Sequence, residues 1–153
     1  MPLQSGLKTI SIMKKISLLL VLLFSLGVYS QSVVGKWKTI DDETGKAKSI
    51  VEIYEKSGKI YGKVLDILEV ENRNRICSNC SGEDKNKPIL GMVIIKGLTK
   101  EANQYTNGKI LDPKNGKRYQ CYITLESKDK LKVRGFIGIA LFGRTQYWYR
   151  VKN

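Results

Sequence analysis

The chain predicts an all-β protein: a single antiparallel up-and-down barrel of about eight strands, following a cleaved N-terminal signal peptide. Three observations carry this. Apolar and polar residues alternate with period two in the last three segments, turn signals recur at roughly 8–12-residue spacing, and no long amphipathic helical pattern interrupts them. A sequence of consecutive hairpins favours a closed barrel, because closure removes the exposed sheet edges.

The order of elements begins with the leader. Met13, Lys14 and Lys15 give a positive start, Ile16–Val28 is an apolar run, and Val28-Tyr29-Ser30 offers small or permissive residues for cleavage. The run is short of the ~20 apolar residues a membrane helix needs. Residues 1–30 are read as signal peptide, with residues 1–12 upstream of a second possible start, and residues 31–153 as the barrel domain. The expected location is the periplasm or the extracellular space.

Val33–Ile40 is the first extended segment, and Asp41–Gly45 links it to Ala47–Lys56. Ser57-Gly58 then forms a tight hairpin into Lys59–Leu68. Glu69–Pro88 is polar, charged and long for a connection between strands, which marks it as functional or tethered. Ile89–Leu98 returns to apolar strand-like sequence. Leu98–Ala102 is compatible with one helical turn, Asn107-Gly108 signals another hairpin, and Pro113–Gly116 a turn. In Lys117–Leu125, Tyr119, Cys121, Ile123 and Leu125 share one face. In Lys130–Ile137, Leu131, Val133 and Ile137 alternate with Lys130, Lys132 and Arg134. In Arg144–Lys152, Thr145, Tyr147, Tyr149 and Val151 alternate with Arg144, Gln146, Trp148 and Arg150.

Composition excludes several chemistries. The chain has no histidine, which removes Ser-His-acid and Cys-His catalysis and His-containing zinc sites. Without its leader it carries 24 Lys and Arg against 14 Asp and Glu, a net +10 that favours anionic partners or simply a solvated basic surface. No run of five basic residues exists to form a nucleic-acid stripe, and export argues against nucleic acid as well. No cofactor or metal is expected.

Cys77, Cys80 and Cys121 are disulfide candidates in an oxidising compartment, with one sulfur left over. Cys77-Ser78-Asn79-Cys80 reads first as a structural disulfide, local or to Cys121. A redox pair and a metal site are the alternatives, but neither the helix of a thioredoxin-type motif nor two further ligands is in view. Gly82–Pro88 reads as a solvated loop end. Asp112 before Pro113 reads as a turn-capping carboxylate rather than a catalytic acid.

Gly35-Lys36-Trp37 resembles the Gly-X-Trp signature of lipocalins and the wider calycin group. In that group the Trp plugs the closed end of the barrel under a basic residue of the last strand. The resemblance implies structural, barrel-closing roles for Gly35, Trp37 and either Arg144 or Arg150, by cation–π contact of about 0.5–2 kcal/mol. The wider pattern resembles a bacterial exported family catalogued as domain of unknown function 2147. It is carried by Val34–Trp37, Gly91-Met92, Ile110–Pro113, Gly116–Tyr119, Lys132–Gly138 and Leu141–Trp148. That resemblance implies an exported lipocalin-like barrel and brings no catalytic residues.

The expected function is binding of a small apolar or amphipathic ligand, anionic ones included, in the barrel, with Tyr61, Tyr119, Tyr147 and Arg134 as binding candidates. One alternative is an envelope interaction protein that contacts another protein or a membrane surface through Glu69–Pro88 or Ile139–Phe142. Another is an enzyme, a thiol oxidoreductase through Cys77 and Cys80 or a carboxylate-based hydrolase. The apolar stretch Ala140–Phe142 is expected to fold back into the core in preference to forming an exposed tip or lid. The chain is expected as a monomer or weak dimer.

Overall fold

In the computed structural model, residues 31–152 are described; the leader assigned from sequence to residues 1–30 lies outside them. The eight strands are β1 (Gly35–Ile40), β2 (Ala47–Lys56), β3 (Lys59–Ile67), β4 (Val93–Glu101), β5 (Gln104–Asp112), β6 (Lys117–Ser127), β7 (Lys130–Phe136) and β8 (Gly143–Arg150). Each pairs antiparallel with its sequence neighbour, and β8 returns to β1 to close the barrel. The lipocalin-like up-and-down architecture follows from that order.

Connections alternate between the two ends. At one end the turns are tight. Ser57 and Gly58, both at positive φ, close β2–β3, and Lys128-Asp129 joins β6 to β7. At the other end lie the longer links: 41–46, 68–92, 113–116 and 137–142.

The two ends are also filled differently. Toward the tight turns the inward residues are large and touch one another. Trp37, Val51, Ile53, Leu98, Ile123 and Leu131 are fully buried, each stabilising the fold by about 1.5–3 kcal/mol through removal of apolar surface from water. Val33, just before β1, closes this end, and its carbonyl accepts a 2.8 Å hydrogen bond from the Trp37 indole.

Two local expectations are corrected. Leu98–Glu101 continues β4 as strand, not as a helical turn. Asn107-Gly108 lies inside β5, and the β4–β5 turn falls at Ala102-Asn103 instead. Gly108 serves close packing: a Cβ there would stand 2.6 Å from the Lys96 carbonyl oxygen and 2.8 Å from the Leu98 side chain. The register slips between Tyr105 and Gly108, so the pair marks a bulge in a strand. The stretch 137–142 is the third correction. It does not enter the core but projects as an exposed loop between β7 and β8.

The long excursion between β3 and β4 is a small lobe. Ile76 bridges Pro88, and Cys77 donates its N–H to Lys87 at 2.8 Å. A Cys77–Cys80 disulfide crosses its tip, and Cys121 is free and buried inside β6. The lobe is pinned to the barrel by charge. Asp84, almost fully buried, pairs with Arg118 of β6 and lies 3.7 Å from Lys96 of β4, which also meets Glu83 at 3.2 Å.

Candidate functional site

Above the packed end the barrel is hollow. A cavity of about 720 Å³ occupies the half toward the long links, within the ~300–1,000 Å³ typical of small-molecule sites. Its wall is apolar, with Val64, Ile67, Ile94, Val133, Trp148 and Tyr119 as main surfaces. The strand period explains the wall. Val133 alternates with outward Lys132 and Arg134, and Trp148 alternates with outward Tyr147 and Tyr149. One small polar pair interrupts the lining, where the Thr39 and Ser49 hydroxyls bond to each other at 2.9 Å.

The mouth is charged. Asp41, Lys48, Glu69, Arg75, Asp112, Lys114 and Arg144 surround it. Most are already engaged. Lys48 donates to Glu69 at 2.9 Å; this contact holds the Glu69 carboxyl below its ordinary range and the Lys48 ammonium above its own. Asp41 caps the 41–46 turn by accepting the Thr44 N–H at 2.8 Å, which lowers its pKa. Asp112 accepts the Lys114 N–H at 2.9 Å, the turn-capping role its place before Pro113 implies. Arg144 donates to Asp42, whose other oxygen accepts from Gln146 at 2.9 Å, and approaches Glu43 at 3.3 Å. The hydrogen bond from Arg144 is the main cause of the lowered Asp42 pKa. Among the described residues, Arg75 and Lys114 are the mouth cations without a carboxylate partner.

The tyrosines and arginines named from the sequence separate. Tyr119 lines the cavity, and its hydroxyl accepts from Asn115 at 3.0 Å. Tyr61 does not: it stacks on Tyr54 on the outer face, ring centroids 5.8 Å apart. Tyr147 is also outside, under the Lys130 ammonium at 4.3 Å. Arg134 points away from the cavity and grips the exposed loop. It donates to the carbonyls of Ala140 at 2.7 Å and Leu141 at 3.1 Å, and to the Thr145 hydroxyl at 2.6 Å.

At the packed end, Arg150 lies over the Trp37 ring at 4.2 Å and donates to the Ser32, Val34 and Lys128 carbonyls. Gly35 leaves it room, since a Cβ there would stand 2.7 Å from a guanidinium nitrogen. Arg144 belongs to the opposite end and makes no contact of this kind.

Sequence reasoning missed Trp148, Val64, Ile67, Arg75 and Lys114. A signal existed for the first. In β8 the largest apolar side chain sits on the face of Arg144, Gln146 and Arg150, so the indole marks the inward face and the arginines fall at the barrel's two rims.

The Cys77–Cys80 disulfide stands beside the mouth. The Cys77 sulfur lies 3.5 Å from the Pro113 carbonyl oxygen, and Asn79 donates to the Lys114 carbonyl at 3.0 Å. Both sulfurs are buried, so the bridge braces the 113–116 turn that carries one of the unpaired cations.

Comparison with known proteins agrees with this architecture. The solved structure of protein HP1028 from Helicobacter pylori, described as belonging to the lipocalin family, is similar in fold. Its TM-score is 0.72 at 21% sequence identity, over 81% of this chain and 86% of that one. No curated protein matches the sequence. Residues 35–150, from the first strand to the last, match the family described as "Uncharacterized protein conserved in bacteria (DUF2147)", and the chain belongs to that family.

Proposed function

We propose that this protein is an exported binding module that holds a single-chain amphipathic anion in its barrel. The hydrocarbon part lies against Val64, Ile67, Val133 and Trp148, and the acidic head meets Arg75 and Lys114. The observation that carries the reading is the cavity itself: a hollow, apolar half-barrel whose mouth has two cations left uncommitted. A filled interior would have offered a ligand nothing; here burial of a long chain displaces water from apolar wall, and that provides the driving force. Export is supported by the leader sequence and by the Cys77–Cys80 bridge, which persists in oxidising compartments. Burial of both sulfurs favours a bracing role over thiol chemistry.

The test is competition. An anionic apolar fluorophore that brightens in the cavity is displaced by a long-chain carboxylate with a dissociation constant on the order of 1 μM. The alcohol of the same chain length binds about tenfold more weakly. Replacing Arg75 and Lys114 together by Gln removes that preference and leaves alcohol binding unchanged. A protein that brightens no such dye, or that binds acid and alcohol equally, contradicts the proposal.

A further inference from the structure

The exposed loop between β7 and β8 is the strongest feature the cavity does not absorb. Four large apolar side chains stand in water within six residues: Ile137 at 66% exposure, Ile139 at 58%, Leu141 at 76% and Phe142 at 71%. Such a patch on a small protein marks an interaction surface. The loop stands at the barrel's open end, with all four of these side chains more than half exposed. Its backbone is tied down from beneath, since Arg134 holds the Ala140 and Leu141 carbonyls and Phe142 donates its N–H to Ile139 at 3.1 Å. With those polar groups occupied, the apolar side chains are free to enter a hydrocarbon phase without stranding the two clamped carbonyls.

Charge points the same way. Lys114 and Lys117, at the neighbouring β5–β6 turn of the same barrel end, and Arg75 on the adjacent lobe have no carboxylate partner among the described residues. An apolar tip beside unpaired cations is the combination that binds anionic bilayers reversibly, because neither signal alone holds a protein at the surface. The tip is also continuous with the cavity: Ile137 and Phe142 belong to both.

We infer that the 137–142 loop docks the barrel mouth on an anionic lipid surface, so that the cavity exchanges its ligand directly with the bilayer. The exchange rests on the binding function proposed above; the docking does not.

Sedimentation with vesicles of phosphatidylglycerol and phosphatidylethanolamine tests it, with no ligand added. The wild-type protein is expected to co-sediment, less at high salt, and to leave pure phosphatidylcholine vesicles largely unbound. The double variant Ile139→Ser with Leu141→Ser, neither of which lines the cavity, is expected to lose at least tenfold in vesicle affinity. Its thermal melting and its dye binding in solution are expected to stay as in the wild type. Equal sedimentation of variant and wild type overturns the inference. So does a wild type that ignores both vesicles, including one that self-associates through the loop instead. Dye binding without vesicle binding would leave the cavity reading standing and remove only the docking.

Discussion

Arg150 joins three carbonyls and an indole face at the packed end of the barrel. A lysine there keeps the charge but not the planar fork, so Arg150→Lys loses both the stacking and at least two hydrogen bonds. A destabilisation of about 1–3 kcal/mol is expected in denaturant unfolding, and an unchanged midpoint would show that the contact is ornamental. Cys121 gives a second residue-scale prediction. Burial pushes its thiol up to about 12, so near pH 8 it presents almost no thiolate and little access. Iodoacetamide should leave the native protein unmodified, add one group after unfolding without reductant, and add three after reduction. Modification of the native, unreduced protein at Cys77 or Cys80 would contradict the bridge. The same scale shows where sequence reading fails. Tyr61, Tyr119 and Tyr147 look equivalent in a list of aromatic residues at alternating positions. Only Tyr119 faces inward, because β3 and β8 carry aromatics on the outer face, where Tyr54 and Lys130 pack on them. Deciding the face required the neighbours: buried Ile60 and Val64 in β3, and Trp148 in β8.

The weakest seam among the elements is β1 against β8. The ladder there pairs only Trp37 with Arg150 and Lys38 with Tyr149, extended by one bond from the Val151 N–H to the Lys36 carbonyl at 2.9 Å, against seven paired positions between β6 and β7. Toward the mouth, where that ladder ends, Asp42 joins the two sides by binding Arg144 and Gln146. Asp42→Asn is therefore expected to loosen the mouth more than the core. Amide exchange should rise in residues 39–42 and 143–146 with little change in β6. The same contact has a pH signature. The folded-state pKa of Asp42 lies below its ordinary 3.8, so its stabilisation is complete at neutral pH. It is lost as pH falls from about 4 through the folded value. The difference in stability between wild type and Asp42→Asn should shrink over that acidic window and be constant above it. A difference that grows on acidification would refute the pairing. Elements with strict period-two alternation, β6 and β7 above all, were legible in the sequence to within a residue or two. The Asn107-Gly108 signal was not, because a turn dipeptide and a bulge glycine are chemically the same, and only the approach of Lys96 and Leu98 distinguishes them.

At the scale of the whole molecule, the barrel is half core and half container. The filled half supplies stability through large side chains at the tight-turn end. The open half has an apolar wall around a cavity of about 720 Å³. The sequence foretold closure, hairpin order and the Gly35–Trp37 signature, since these depend on local alternation and a short motif. It did not reveal the cavity, because an empty volume is set by residues from most of the strands together and has no local pattern. Nor did it reveal the mouth's spare cations, which are spare because Glu69, Asp42 and Glu43 pair with Lys48 and Arg144 while Asp41 and Asp112 are held by turn N–H groups. The two tryptophans divide between the halves: Trp148 lines the cavity, and Trp37 is sealed beneath Arg150. Quenching of tryptophan fluorescence by a brominated long-chain carboxylate therefore reads the container directly, since bromine quenches only at close range. Saturable quenching in the wild type that disappears in Trp148→Phe, which retains Trp37, is the predicted result. No saturable quenching, or equal quenching in both proteins, would contradict a ligand held in the barrel.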